Sequence, residues 1–333
     1  MNNKEPLLDG LGRVHTNLRV SVTDRCNIRC FYCMPNVDVK FKRRDQLLTF
    51  EEIQRFVRIV AERGVNKLRI TGGEPLVRSE LPSLIRQLSG TPGIDDIALT
   101  TNGMLLAEQA SALREAGLNR VNISLDTLDE ETFQRISRRP GVDQTIAGID
   151  AALEVGFELV RLNAIAIRNL TEGELVPLAR FARERGLELR FIEFMPLDAE
   201  QHWQSDQVLS GNEIRETIQR EVGELTAAPR PDASQPAVDY QYTDGGGTIG
   251  FINPVSEPFC GTCNRLRITA DGKVRNCLFS TDDYDVLALM RDGADDREIL
   301  DLVQRCLAAK KPGHGIDSDD FERPERAMYQ IGG

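Results

Sequence analysis

The sequence predicts an α/β fold built on a parallel sheet, and three observations carry that reading. Short β-rich runs alternate with helix-length segments from residue 18 to about residue 194. Several of those helical stretches stop at a glycine (Gly64, Gly117, Gly156, Gly186), the residue that most easily takes the left-handed conformation closing a helix. The strand–helix order repeats six times, which places parallel strands side by side with helices outside them. A doubly wound sheet and a partial barrel both satisfy this pattern, and periodicity does not choose between them.

The expected strands are 18–22, 67–71, 96–100, 120–125, 159–167 and 188–194. The expected helices are 50–63, 80–88, 105–116, 143–155 and 172–185. Around 227–235 the composition shifts to Pro, Ala, Ser and Asp, the signature of a linker or mobile loop. Beyond it, 238–243 and 248–253 flank Asp244-Gly245-Gly246-Gly247 and predict a hairpin. Helical patterns at 284–291 and 295–310 lead toward the terminal Gly332-Gly333. The chain therefore divides near residue 225, into a 1–225 α/β region and a 226–333 C-terminal region.

The 333 residues, 41% of them hydrophobic, suffice for a large core. A formal charge of -11 argues against a broad nucleic-acid surface but leaves room for an anionic small molecule in a locally basic pocket. No secretory leader and no apolar run of membrane-spanning length is visible, so no membrane association and a cytoplasmic location are expected. Thiols stay reduced there, and seven cysteines read better as metal ligands than as disulfides. Six fall into two compact groups, Cys26/Cys30/Cys33 and Cys260/Cys263/Cys277, while Cys306 sits in a helical pattern as a packed residue.

The first group is C-x3-C-x2-C, directly after the first expected strand. Three thiolates within eight residues converge only from an irregular loop, and thiolates suit zinc or an iron–sulfur cluster. Structural zinc takes four ligands, yet His15, His202 and His314 are scattered. A 4Fe–4S cluster on three cysteines leaves one iron open to another ligand. With Tyr32 just before its last cysteine, the group resembles the signature of the radical S-adenosylmethionine (SAM) superfamily. Gly72-Gly73-Glu74, at the end of the second strand, resembles that family's second motif, which meets the methionyl amino group. Ser124 and Met195, at the ends of the fourth and sixth strands, are similar to its remaining cofactor contacts. The resemblance implies Tyr32, Gly73, Ser124 and Met195 around S-adenosylmethionine.

Cys260-x2-Cys263-x13-Cys277 is again three thiols without a fourth, which fits a second 4Fe–4S cluster. Between them, Arg265 and Arg267 share a side if the segment is extended, and paired guanidiniums suit phosphate oxygens. Arg19, Arg69 and Arg161 lie in otherwise apolar strands, where a charge is costly unless it faces a polar site.

Beyond these motifs, the stretches Leu18 to Asn27, Thr71 to Leu76 and Phe251 to Cys277 resemble the GTP 3′,8-cyclase family of molybdenum-cofactor biosynthesis. The resemblance implies an incomplete (β/α)6 barrel of the TIM type, its open side covered by the C-terminal region. It implies two 4Fe–4S clusters and S-adenosylmethionine. The first cluster would generate a deoxyadenosyl radical that takes the 3′ hydrogen of GTP. Attack on C8 of guanine would lead to 3′,8-cyclo-7,8-dihydroguanosine triphosphate. The second cluster would hold guanine. Arg19, Arg69, Arg161, Arg265 and Arg267 would bind the triphosphate, with Arg161, Arg265 and Arg267 also stabilising later radical states, and Thr100 would touch substrate. Implied partners are an electron donor, a downstream cyclic pyranopterin monophosphate synthase and, as an open option, a second copy of the chain. Arg161 departs from the family's usual lysine, and the terminal glycines match a tail that reaches the active site. A peptide-modifying radical SAM protein would call for further C-terminal cysteines and a recognition domain, and a zinc scaffold for completed tetrahedral sites.

Overall fold

The computed structural model describes residues 5–36, 38–197, 203–316, 318 and 321–332. His202 and Gly333 lie outside them. The chain begins with β1 (Asn17–Ser21), α1 (Phe50–Ala61), β2 (Lys67–Thr71), α2 (Leu81–Ser89), β3 (Asp96–Thr101) and α3 (Leu106–Glu115). It continues through β4 (Arg120–Ser124), α4 (Glu130–Ser137), α5 (Val142–Glu154), β5 (Leu159–Ala166), α6 (Leu175–Glu184) and β6 (Glu188–Glu193). After α7 (Gly211–Glu221) come β7 (Leu225–Ala227), β8 (Val238–Tyr242), β9 (Thr248–Ile252), β10 (Arg265–Ile268), β11 (Lys273–Arg275) and β12 (Tyr284–Asp285). The chain closes with α8 (Val286–Arg291), α9 (Asp296–Ala308) and α10 (Met328–Ile331).

Among the described residues these strands form one sheet in the order β12-β11-β10-β1-β2-β3-β4-β5-β6-β9-β8-β7. The run from β1 to β6 is consecutive and parallel, without the reversal of order that marks a doubly wound sheet. C-terminal strands extend it at both edges: β10 pairs parallel with β1, and β9 pairs parallel with β6.

Alternation along the strands sorts core from site. In β1, Leu18 and Val20 are fully buried, and in β2 so are Leu68 and Ile70. The intervening Asn17, Arg19, Lys67 and Arg69 face a cavity on the other side of the sheet. Helices cover the apolar side. In α1 the stripe Ile53, Phe56, Val57 and Val60 is buried, each side chain worth about 1.5–3 kcal/mol of transfer free energy. Thr49 and Glu52 start α1 by accepting from each other's backbone N–H, at 3.2 and 2.8 Å.

The six expected strands and five expected helices are present, with ends shifted by up to three residues. Three helices were not expected, α4, α7 and the short α10. α4 is only eight residues, started by Asp129, which accepts from Thr132 N–H at 2.7 Å. α7 starts with a reciprocal Ser210–Glu213 cap, Glu213 accepting from Ser210 N–H at 3.0 Å. The expected helix 284–291 begins instead as a strand, because Tyr284 and Asp285 pair with β11 before Asp285 caps α8. The Pro/Ala/Ser/Asp segment leaves β7 and folds along the cavity, where Lys67 meets Asp232 at 3.1 Å. Among the described residues no helix is long and apolar enough to cross a membrane.

Candidate active site

One cavity of about 510 Å³ is lined by every site residue singled out from the sequence, including both cysteine groups. Strand ends and loops bring them together. Cys26, Cys30 and Cys33 follow the C-terminal end of β1, as Gly72-Gly73 follow β2, Asn102 follows β3, and Met195 comes two residues past β6. Cys260 and Cys263 precede the N-terminal end of β10, and Cys277 follows its antiparallel neighbour β11. Because β10 and β1 run parallel, the two thiol sets stand at opposite ends of the strands. The separation along five-residue β1 is roughly 16 Å at about 3.3 Å per residue.

At the first end, the glycines are dictated by close packing of the cysteine loop. A Cβ on Gly72 would lie 2.4 Å from Thr23 O, and one on Gly73 2.4 Å from Arg25 O. The backbones instead bond, Gly73 N–H to Thr23 O at 2.8 Å and Glu74 N–H to Arg25 O at 2.7 Å. The buried Glu74 carboxylate accepts from Thr101 Oγ1 and Asn102 N–H, both at 2.7 Å, and from Leu76 N–H at 3.0 Å. Tyr32 donates to Asp126 at 2.6 Å, and Asp126 also accepts from Ile165 N–H at 2.8 Å. Burial pushes Glu74 up to about 7 and Asp126 up to about 6, against the hydrogen bonds that favour their charged forms. Burial also raises Cys26 to about 11, and lifts Cys30 and Cys33 well above the ordinary thiol range.

The middle of the cavity is basic. Strand register aligns Arg267, Arg19 and Arg69 across three neighbouring strands, and Arg265, Asn17 and Lys67 one step earlier. Neighbouring strands lie only about 4.8 Å apart, so these guanidiniums crowd one another. Arg19 and Arg69 make no hydrogen bond or ion pair among the described residues, and Arg19 Nε is a buried donor without an acceptor. Enclosure and then the neighbouring arginines lower Arg69 to about 9, and push Arg19 well below its usual value. Thr100 Oγ1 is likewise buried and unpartnered. Toward β6 the cations are compensated: Arg161 binds Asn122 Oδ1 at 3.1 Å and Glu188 at 2.7 Å, while Arg190 joins Glu188 to Asp239. Arg120 pairs with Asp96.

At the second end, Arg265 reaches Cys263 Sγ at 3.3 Å and lies over the Phe259 ring. Burial would raise Cys263, but Arg265 and Lys310 overcome it and bring that thiol down to about 6. Arg267 donates to Gly332 O at 3.1 Å, which places the described end of the tail beside Ser21 and Thr71. Arg326 holds that tail through Asp271, at 3.0 Å, and Asp283, at 2.7 Å.

Each thiol set fits an iron–sulfur cluster by donor chemistry: three cysteines on irregular backbone, opening onto a cavity large enough for more ligands. Among the described residues no three Cys, His, Asp or Glu side chains converge on a single metal ion. Sequence reasoning missed Lys67, Asn122, Arg190 and Lys310. Lys67 and Arg190 carried the same signal as Arg69 and Arg161, a charge at alternate positions of an apolar strand. Asn122, alternating with Val121 and Ile123, carried a polar form of that signal, and Lys310 carried none.

A profile of the radical SAM superfamily matches residues 20–182, and one described as molybdenum cofactor synthesis C matches 187–316. Proteins called GTP 3′,8-cyclase are similar over full length. That of Rhodopirellula baltica is 53% identical over 336 residues, covering 100% of this chain and 94% of the relative. Those of Pelotomaculum thermopropionicum and Mycolicibacterium smegmatis are 45% and 44% identical, covering 95% and 98% of this chain and 97% and 92% of theirs. Among solved structures, Streptococcus suis SuiB bound to precursor peptide SuiA shares the fold with a TM-score of 0.62. It is 14% identical, over 96% of this chain and 77% of SuiB.

Proposed function

Because this chain belongs to the GTP 3′,8-cyclase family of radical SAM enzymes, which act early in molybdenum-cofactor biosynthesis, we propose that this cavity carries the reaction from both ends. The consecutive strands would curve into an incomplete barrel spanning residues 1–225, with 226–333 covering its open side. Cys26, Cys30 and Cys33 would hold the 4Fe–4S cluster that the family implies, and S-adenosylmethionine would sit among Tyr32, Gly73, Ser124 and Met195. When bound, cluster and S-adenosylmethionine together supply a one-electron cleavage giving a radical able to take a hydrogen from carbon. Cys260, Cys263 and Cys277 would hold a second 4Fe–4S cluster at the other end.

Between them, GTP is the substrate this reading assigns. Arg19, Arg69, Arg265 and Arg267 would hold its triphosphate by charge-assisted hydrogen bonds. The observation that carries this assignment is that none of these four guanidiniums has a carboxylate partner among the described residues. An enclosed row of cations without acids is stable only around an anion. Thr100 Oγ1, lacking an acceptor, is a donor for the same substrate. Arg161 is held by Asn122 and Glu188, so its guanidinium is fixed in one orientation. It would act at the ribose-to-base end by position and charge, where a lysine would lack the planar fork. Outside the chain, an electron donor would supply the reducing equivalent and a cyclic pyranopterin monophosphate synthase would consume the product.

The test is anaerobic reconstitution with iron and sulfide, then mass spectrometry after incubation with dithionite, S-adenosylmethionine and GTP. The reading expects 5′-deoxyadenosine together with a GTP-derived cyclic product. Deoxyadenosine without that product would remove GTP from the assignment.

A further inference from the structure

The C-terminal helix α9 packs against the core through Ile299, Val303, Cys306 and Leu307, all essentially inaccessible to solvent. Asn276, next to Cys277, donates to Cys306 O at 2.7 Å and fixes the helix to the second cysteine loop. Two residues past the helix, Lys310 turns inward and is only 6% exposed. Its ammonium faces three acceptors: Arg265 O at 3.1 Å, Cys263 O at 3.4 Å and Cys263 Sγ at 3.4 Å. Three N–H donors thus meet three acceptors, with no carboxylate partner among the described residues.

A buried lysine is costly unless something negative answers it. Here the ionisable group that the ammonium touches is the Cys263 sulfur, with Cys277 of the same thiol set acting on it from farther off. Arg265 reaches the same sulfur, but Arg265 also lines the cavity and is assigned to substrate. Lys310 does not line the cavity. It approaches from behind, so its charge stays with the sulfur whatever fills the site.

We propose that Lys310 is a positioning and charge-compensating residue for the second cluster, clamping the Cys263–Arg265 backbone and favouring the more negative, reduced form of the iron–sulfur centre. This rests on the reading that Cys260, Cys263 and Cys277 carry a cluster. Hydrogen bonds to ligand sulfurs and local charge are the main protein levers on such potentials. Removing the cation destabilises the more negative state, so the midpoint potential must fall.

The experiment is a redox titration monitored by electron paramagnetic resonance, with iron and sulfide counts, on full-length reconstituted wild type, Lys310→Met and Lys310→Arg. The second cluster's potential is expected to shift negative in Lys310→Met and to stay near wild type in Lys310→Arg, with the first cluster's potential unmoved in both. Loss of the second cluster from Lys310→Met alone would equally support a need for the charge. An unchanged potential in Lys310→Met, or loss of the cluster from both variants, would overturn the proposal. A wild type holding only one cluster would sink the underlying reading of the cysteines instead, a result separable from any behaviour of Lys310.

Discussion

The two ends of the cavity present the same ligands in opposite fields. Around Cys26, Cys30 and Cys33 stand Tyr32, Asp126 and Glu74, and burial keeps thiols and carboxyls alike toward their protonated forms. Around Cys263 stand Arg265 and Lys310, and the thiol falls to about 6. Three cysteines on a loop therefore do not define a site's character. The first end offers two buried carboxyl groups, Glu74 and Asp126, to a ligand bearing a cationic sulfonium and an amino group. The second end merges into the arginine row of Arg267, Arg19 and Arg69 and suits an anion.

The sharpest way to break this comparison is to remove one thiol from each end. Cys26→Ser should abolish both deoxyadenosine and the GTP product, by about 1,000-fold or more. Cys263→Ser should cost the GTP product about 100-fold while leaving deoxyadenosine formation within about tenfold of wild type. Parallel assays of both products check this, and equal loss of both activities in Cys263→Ser would erase the distinction between the ends.

Next come the arginines between them. Arg19→Ala and Arg69→Ala should each weaken GTP binding about 10- to 100-fold, the range of a lost hydrogen bond to a charged group. Arg265→Ala and Arg267→Ala should impair GTP turnover more than S-adenosylmethionine cleavage. Direct GTP binding and single-turnover deoxyadenosine formation separate the two effects, and variants that lose both equally would contradict the assigned roles.

Electrostatics gives a third test, on metal-free protein under anaerobic conditions. A thiol reacts as its thiolate, so alkylation of Cys263 should rise as pH passes about 6 and be nearly complete by neutrality. Alkylation of Cys26 should stay slow until pH approaches 11. Peptide mapping after iodoacetamide treatment reads both, and a common pH profile would show that the two environments do not differ.

The smallest effect should come from the tail. Arg326→Ala removes the Asp271 and Asp283 contacts that hold the segment ending at Gly332, itself bonded to Arg267. GTP turnover should fall roughly 3- to 10-fold, as for a lost surface-linked ion pair. Hydrogen exchange at residues 327–332 should rise, and unchanged exchange would place the anchor elsewhere.

Much of this arrangement was legible because the residues obey a period of two. Leu18/Val20 against Asn17/Arg19, and Leu68/Ile70 against Lys67/Arg69, already divide each strand into a core face and a site face. Applying that rule to every strand would also have exposed Arg190. The capping pairs Ser210–Glu213 and Asp129–Thr132 are local signals too, but α4 is short and both helices lie outside the six-fold strand–helix pattern. What could not be read is long-range. That β10 lies beside β1, bringing Arg267 level with Arg19, depends on pairing across more than 240 residues. The inward turn of Lys310 after a helix end has no signature of its own. Gly72 and Gly73 stand out only by their likeness to the family motif, whereas the close approach that requires them is made by the cysteine loop's own backbone.

The most direct test of the central claim is Mössbauer spectroscopy of protein reconstituted with 57Fe, with S-adenosylmethionine and GTP added separately. Two 4Fe–4S clusters, about eight irons per chain, should be present. S-adenosylmethionine should perturb one iron of a cluster that disappears in Cys26→Ser, and GTP one iron of a cluster that disappears in Cys263→Ser. Both ligands acting on the same cluster, or GTP perturbing neither, would contradict the account of one cavity worked from two ends.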